Sequence, residues 1–469
     1  MLEIKDLSRW LPQEAIELYE GQGYNELYPP QAQAVERGLL EGKNMLLALA
    51  TASGKTFLAE LAMLKAALQS KRSLYIVPLR ALAAEKFDSF QRFKDLGVSV
   101  GISTGDFDKK DERLGRNQII IATSEKADSL MRNGASWIRD LAVLVVDEIH
   151  LLNDVGRGPT LEMTITKLRR SNPGLQIIGL SATVANSRDL ADWLDAELVS
   201  SDWRPIALKE GVICKGRLVF SDEERALEAK KDEKKDESIA LVRDTLSQDA
   251  QILIFENSRK NAEAAAIKLS NLIPPDPKAE TLSESILATG ESETCHRLAS
   301  CVSRGIAFHH AGLLPDQRRL VEQGFRENRI KVIASTPTLA AGLNLPARRV
   351  LIKSYRRYEY GSGMVPIPVI EYRQMAGRAG RPGLDPYGES FLMAKDDSEM
   401  RNLKEHYIDG SPEEIWSKLA SESALRTHIL STITAGFART EGELKEFIAT
   451  TFYAYQQDPW HLDAALEKV

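Results

Sequence analysis

Short runs of aliphatic and β-branched residues recur through the first two hundred positions, at Met45–Ala50, Leu74–Val77, Val98–Ile102, Ile119–Ala122, Leu141–Val146 and Ile177–Leu180. They lack the apolar–polar alternation of a half-solvated strand, and Ala/Leu/Lys/Glu-rich stretches such as Phe57–Leu68 and Leu79–Phe93 separate them. Unbroken apolar strands between helical segments predict a parallel sheet covered on both faces. The alternation stops and then restarts at Ile252–Phe255, Ile306–Phe308, Val332–Ala334, Val350–Ile352 and Phe391–Met393. Two α/β domains follow, with expected bounds of 1–200 and 201–397. The mixed-charge run Asp222–Glu237 between them reads as a solvated helix or loop, and Ile273-Pro-Pro-Asp-Pro277 as a turn. Strand signals fade from 398 to 469. There Ser411-Pro-Glu-Glu414 and Thr440-Glu-Gly-Glu443 carry helix-start patterns, so a small, mostly helical third domain is expected.

Composition narrows the class. Sixty-one basic against sixty-seven acidic residues leave the 469-residue chain at −6, with 43% hydrophobic and 27% charged content, which excludes a disordered chain. Cys214, Cys295 and Cys301 are too few for a disulfide framework, so a reducing, cytoplasmic setting is expected. Glu3, Lys5 and Asp6 stand where a secretory leader would be apolar, and no apolar run reaches the roughly 20 residues of a membrane span. Because the net charge is mildly negative, any nucleic-acid partner must be held by local basic clusters.

The chemistry concentrates at strand ends. Ala50-Thr-Ala-Ser-Gly-Lys-Thr56 follows an expected strand and opens an expected helix. The amides of Ala52, Ser53 and Gly54, added to a helix N-terminus, form an anion site. Lys55 would reach the β- and γ-phosphates and the Thr56 hydroxyl would ligate Mg²⁺. Leu49 stands where the common pattern has its first glycine. Val143-Leu-Val-Val-Asp-Glu-Ile-His150 delivers two carboxylates to the ligand-binding edge of a parallel sheet. Asp147 can hold Mg²⁺, and Glu148 can orient or deprotonate an attacking water. In the second domain, Gln374-Met-Ala-Gly-Arg-Ala-Gly-Arg-Pro382 sets Arg378 and Arg381 three apart, the spacing of one helical face. Guanidinium groups there would stabilise charge on a transferring γ-phosphoryl. The catalytic set is then Lys55, Glu148, Gln374, Arg378 and Arg381, completed when the two domains close on ATP.

Taken in order, Gly54-Lys55-Thr56, Pro78-Leu-Arg-Ala-Leu82, Thr123-Ser-Glu-Lys126, Asp147-Glu-Ile-His150, Ser181-Ala-Thr183, Phe255 to Arg259, Ser335-Thr-Pro-Thr338 to Asn344, and Gln374 to Arg381 resemble a superfamily-two DExH-box helicase. Within it the sequence is most similar to the archaeal fork-repair DNA helicases of the Holliday-junction-migration type. The resemblance implies two RecA-like domains and a winged-helix-like third, followed in the family by a helical ratchet domain and a small C-terminal domain beyond Val469. It implies ATP and Mg²⁺ as cofactors, Gln31 of Tyr28-Pro-Pro-Gln31 as an adenine reader, and nucleic-acid contacts from Arg80, Thr123, His310, Thr338 and Asn344. It assigns coupling between hydrolysis and strand movement to His150, Ser181, Thr183 and Gly342. The activity implied is 3′ to 5′ translocation on single-stranded DNA and unwinding of forked DNA in repair or replication restart, by a monomer. Single-strand-binding or repair proteins are the implied partners. The alternatives are an RNA helicase of the same branch and an ATP-gated nucleoprotein remodeller that separates no strands.

Between Arg348 and Arg381, eight basic residues face only Glu359 and Glu371, a local +6. Within this stretch, Lys353 to Pro368 alternates aromatic with charged residues up to Gly361-Ser-Gly363 and then turns apolar, which predicts a β-hairpin. The family has a strand-separating hairpin here, and Arg356 with Tyr355, Tyr358 or Tyr360 would meet the junction. Cys295-His296, Cys301 and His309-His310 have the ligand types of a zinc site without its paired spacing, so zinc is not expected. Trp193 and Trp203 read as packing residues.

Overall fold

The computed structural model describes residues 2–105, 111–228, 236–337, 339, 345–359 and 361–458. Thr338, Gly342, Asn344 and Tyr360 lie outside these residues. The chain divides into one unit formed by Met1–Trp203 with Glu414–Val469 and a second formed by Arg204–Glu413.

In the first unit, strands β1 (Met45–Leu49), β2 (Arg72–Val77), β3 (Val100–Ser103), β4 (Ile119–Thr123), β5 (Leu141–Val146), β6 (Gln176–Ser181) and β7 (Glu197–Ser201) form one parallel sheet. Their order is β3-β4-β2-β5-β6-β1-β7. Strands β1, β4 and β6 are buried at every position, which is why they read as uninterrupted apolar runs. Strand β7 escaped that reading because Glu197-Leu-Val-Ser-Ser201 lies at the sheet edge and is largely accessible.

The second unit holds an eight-stranded sheet. It comprises β8 (Leu208–Cys214), β9 (Arg217–Phe220), β10 (Glu224–Ala226), β11 (Ile252–Phe255), β12 (Ile306–His309), β13 (Val332–Ser335), β14 (Arg349–Ile352) and β17 (Gly388–Met393), in the order β10-β9-β8-β17-β14-β11-β13-β12. Strand β8 runs parallel to β17, and β9 and β10 continue from it as an antiparallel extension of an otherwise parallel sheet. Glu224–Ala226 therefore places part of the charge-rich run in a strand. The expected hairpin is present: β15 (Arg356–Glu359) pairs antiparallel with β16 (Gly363–Pro366), Tyr358 opposite Met364.

The third domain expected at 398–469 does not begin where its sequence signature suggested. Residues 411–417 form no helix. The Glu413 carboxylate instead accepts the backbone N–H groups of Val369 (2.6 Å) and Ile370 (3.1 Å), capping the N-terminus of helix Val369–Ala376. A local capping pattern was thus recruited to a different helix. Thr440 does cap helix Glu441–Ile448, accepting from Glu443 N at 3.2 Å. Among the described residues, 414–458 holds the helices Glu422–Thr434, Glu441–Ile448 and Phe452–Tyr455 and no strand.

That segment packs on the first unit. Leu419, Leu425, Phe447, Ile448 and Tyr453 close a small core over Met163. Trp193 Nε1 donates to Thr450 O (3.1 Å) and its ring meets Phe452, so Trp193 is a packing residue. The carboxylate of Glu162, fully buried, accepts from Ser417 Oγ (2.6 Å) and Tyr453 N (2.7 Å). Burial pushes that carboxyl up to about 7, against the pull of its hydrogen bonds.

Candidate nucleotide site and nucleic-acid face

In the first unit, β1 ends at Leu49 and helix Lys55–Leu68 begins six residues later. The intervening loop uses left-handed backbone at Ala52 (φ +67°) and Gly54 (φ +82°), so the loop turns without the glycine missing at Leu49. Gly54 is required twice over. Its φ disfavours a side chain, and a Cβ there would lie 2.1 Å from Gln31 Nε2. Lys55 Nζ donates to the carbonyl of Leu49 at 2.6 Å, drawing the ammonium across the loop mouth.

Gln31 is buried and has both ends of its amide engaged: Oε1 accepts from Tyr28 N (2.9 Å), and Nε2 donates to Ser53 O (3.1 Å). The residue expected to read a base edge thereby ties the Tyr28-Pro-Pro-Gln31 turn to the phosphate loop. The ring of Trp203 lies 4.7 Å from that of Tyr28.

At the end of β5, Asp147 accepts from Tyr75 OH (2.8 Å) and from Glu148 N (3.1 Å). Burial first, and then the Glu148 charge, push the Asp147 carboxyl above the usual range, while Lys86, Tyr75 and Lys55 pull it back. Glu148 itself sits at φ +53°, the turn that redirects the chain into Ile149–Asn153. His150 Nδ1 lies 3.4 Å from Glu148 Oε2. Burial lowers His150 to about 3, so it is neutral at physiological pH. Hard oxygen donors from Asp147 and Thr56, beside a destabilised carboxylate charge, suit Mg²⁺ shared with phosphates rather than a protein cage. Among the described residues no group of three or more His, Cys, Asp or Glu could hold a metal alone.

Two participants had no sequence signal. Lys86, on helix Arg80–Phe90, reaches Thr56 Oγ1 at 3.4 Å and acts on Asp147, and Tyr75 steadies the Asp147 carboxylate from β2. Neither belongs to a spaced motif. Their convergence depends on β2 lying beside β5. Ser181, at the end of β6, is fully buried, and its hydroxyl makes no hydrogen bond among the described residues. Thr183 Oγ1 donates to Asp202 at 3.0 Å. Thr123 is buried and caps helix Ser124–Arg132, accepting from Lys126 N at 3.3 Å, whereas Arg80 is exposed.

In the second unit, the helix carrying Gln374 stops at Ala376, so Arg378 and Arg381 do not share a helical face. Arg378 stands in a turn closed by Gly380 at φ +93°. Arg381 folds back: its Nε and Nη2 donate to Asp385 at 2.8 Å each, and its Nη1 to Gln251 Oε1 at 2.8 Å. The basic excess of 348–381 is also largely turned inward. Arg349 pairs with Glu389 and Asp244, Lys353 with Asp236 and Glu256, and Arg357 with Glu359 and Glu371. The fold brings in acids that a linear count cannot see.

On the hairpin, Arg356, Tyr358, Met364 and Pro366 form one exposed face, with Tyr358 70% exposed. Tyr355 instead packs near Tyr407 and donates to Glu399 Oε1 at 2.6 Å. His310 is buried with Nε2 3.1 Å from Glu263 Oε1, and His309 pairs with Glu322. Cys295 Sγ donates to Ile286 O and Cys301 Sγ to Ser270 Oγ. The three cysteines are free and buried.

A Gly-Lys-Thr loop and a strand-end Asp-Glu pair on one parallel-sheet unit, with an arginine-bearing turn and a hairpin on another, are the elements of a nucleic-acid motor with two α/β domains. Residues 28–191 match the DEAD/DEAH box helicase family and residues 233–383 the helicase conserved C-terminal domain. The chain belongs to the superfamily-two DEAD/DEAH-box helicases. It is 54% identical over 458 residues to a protein of Methanocella arvoryzae named ATP-dependent DNA helicase Hel308, covering 95% of this chain and 62% of that one. Proteins of the same name from Caldivirga maquilingensis (45% over 449 residues, 94% and 59% covered) and Pyrobaculum calidifontis (45% over 462 residues, 97% and 64% covered) are also similar. The chain spans about three-fifths of the length of these relatives.

Proposed function

We propose that this chain is the motor of an ATP-dependent DNA helicase, moving 3′ to 5′ on single-stranded DNA and opening forked duplexes. The observation that carries the reading is the convergence of Lys55, Thr56, Asp147 and Glu148 at one sheet edge, with His150 held neutral beside Glu148. The similarity to proteins named ATP-dependent DNA helicase supports the choice of substrate.

In this reading the loop amides and Lys55 grip the phosphates, the ammonium exchanging the Leu49 carbonyl for a phosphate oxygen. Thr56 and Asp147 would hold Mg²⁺, which when bound offsets charge on the phosphates. Glu148 orients the attacking water and accepts its proton. The neutral His150 imidazole beside it adds no positive charge that would weaken it as a base. Arg378 meets the γ-phosphate in the ATP-bound state, and Arg381 joins it by exchanging Asp385 for a phosphate oxygen. Loss of that phosphate releases both arginines and resets the motor. Ser181 and Thr183 transmit the change, Arg80, Thr338 and Asn344 follow the strand backbone, and the buried Thr123 and His310 serve that face from behind, through helix Ser124–Arg132 and Glu263.

The exposed hairpin face of Arg356 and Tyr358 stacks on the first unpaired base. No helix among the described residues is long and apolar enough to cross a membrane. A monomer acting at DNA forks in the cytoplasm is part of the same proposal, drawn from the helicase reading. The test is ATP turnover with and without single-stranded DNA, followed by unwinding of forked DNA and RNA of matched sequence with 3′ or 5′ tails. DNA-stimulated turnover and opening of 3′-tailed DNA are expected. Preference for RNA would favour an RNA helicase, and turnover without strand separation a remodeller.

A further inference from the structure

Trp203 and Arg204 are consecutive, yet each is committed to a different functional segment. Trp203 packs against Tyr28, whose N–H is held by Gln31, and Gln31 in turn holds the carbonyl of Ser53 in the phosphate loop. Arg204 donates from a single nitrogen, Nη2, to the carbonyls of Gly377 (3.0 Å) and Ala379 (2.9 Å), the two residues that flank Arg378.

Those carbonyls lie just past the C-terminus of helix Val369–Ala376, where backbone acceptors lack helical partners and a cation is favoured. The remaining sides of the turn are confined by backbone. Ala347 N donates to Arg378 O (2.9 Å), and Gly380 N donates to Ala347 O (2.7 Å). A Cβ on Gly388 would lie 2.4 Å from the Ala379 carbonyl carbon, so the neighbouring strand leaves no slack. A single side chain, Arg204, thus donates to both carbonyls flanking Arg378. Burial lowers the proton affinity of its guanidinium, Glu210 offsets this, and Arg378 lowers it further, which places Arg204 within electrostatic reach of the residue it would position.

Resting on the ATPase reading above, we infer that Arg204 is a positioning residue for Arg378, and that the Trp203–Arg204 step links the Tyr28–Gln31 turn, and through it the phosphate loop, to the arginine turn. The linkage is a continuous run of contacts, each within its own unit, joined by one peptide bond. Engagement of the phosphate loop then biases where Arg378 stands. The effect belongs to the transition state, since Arg378 acts on charge that develops during phosphoryl transfer.

The experiment is steady-state ATP turnover with saturating single-stranded DNA for Arg204→Met, Arg204→Lys, Trp203→Ala, Arg378→Ala and the double variants, with ADP affinity and melting temperature measured in parallel. Arg204→Met should lower kcat about tenfold with KM for ATP and ADP affinity unchanged, as expected when a transition-state contact is lost. Arg204→Lys, which keeps a donating cation, should recover most of that loss. Trp203→Ala should lower kcat in the same way and add little to Arg204→Met. In the Arg378→Ala background, Arg204→Met should cost nothing further.

Full kcat in Arg204→Met, a loss confined to KM, or additivity with Arg378→Ala would each overturn the inference, additivity marking Arg204 as merely structural. Should Arg204→Met fail to fold, the same cycle run with Arg204→Lys and Trp203→Ala decides the matter. A wild-type chain without DNA-stimulated turnover would instead sink the functional reading.

Discussion

Gly54→Ala tests the architecture of the phosphate loop most sharply, because two separate penalties fall on one methyl group. The backbone at φ +82° costs a non-glycine residue about 1–2 kcal/mol. The new Cβ would also stand 2.1 Å from Gln31 Nε2, which must then leave the Ser53 carbonyl, losing about 1 kcal/mol of hydrogen bonding. Together these disfavour the binding-competent loop by about 2–3 kcal/mol, so ADP–Mg²⁺ affinity measured by calorimetry should fall roughly 30- to 150-fold. The two penalties separate in a double-mutant cycle. In a Gln31→Ala background only the backbone cost remains, so the same Gly54→Ala change should weaken binding about fivefold less than it does beside Gln31. Unchanged affinity in Gly54→Ala would refute the left-handed loop as the nucleotide cradle. An equal penalty in both backgrounds would refute the Gln31 link.

Two further outcomes follow from groups away from the loop. The folded Glu162 carboxyl holds its proton to about pH 7, whereas an unfolded glutamate releases it near 4.5. The folded state therefore binds more protons across that window, and stability falls as pH rises through it, by roughly 3 kcal/mol in all. Melting temperatures at pH 5 and pH 8 should differ less in Glu162→Gln than in the wild type. An identical pH dependence would show that this carboxylate does not govern the docking of 414–458. Tyr358→Ala should slow fork unwinding about tenfold or more, given about 1–3 kcal/mol per stacked base, while leaving DNA-stimulated ATP turnover intact. Unimpaired unwinding would remove the exposed hairpin face from strand separation.

What could be read in the chain was whatever depends on local backbone and burial. Strands such as Ile119–Thr123 and Gln176–Ser181 are buried at every residue, so the sheet's interior was visible as apolar runs. Edge strands were not: Glu197–Ser201 and Glu224–Ala226 are polar because one side meets solvent. The turn between β1 and helix Lys55–Leu68 was legible because a strand end, Gly54 and a helix start shape it, and left-handed backbone at Ala52 lets it turn without a glycine at Leu49. Long-range pairing was hidden. Nothing near Glu413 shows that its carboxylate serves helix Val369–Ala376, and nothing in the run 348–381 shows that Arg349 will meet Glu389. The three-residue spacing of Arg378 and Arg381 suggested a helical face, but the helix ends at Ala376 and Gly380 turns the chain. Lys86, Tyr75 and Arg204 carry no motif at all. They matter only through what the fold sets beside them.

The central claim is that the Asp147–Glu148 strand end hydrolyses ATP held by the 50–56 loop. Its most direct test is ATP turnover by Glu148→Gln, with ADP–Mg²⁺ and single-stranded DNA binding measured on the same preparation. Turnover lost by at least a hundredfold with both affinities retained is the predicted result. Wild-type turnover in that variant would contradict the account.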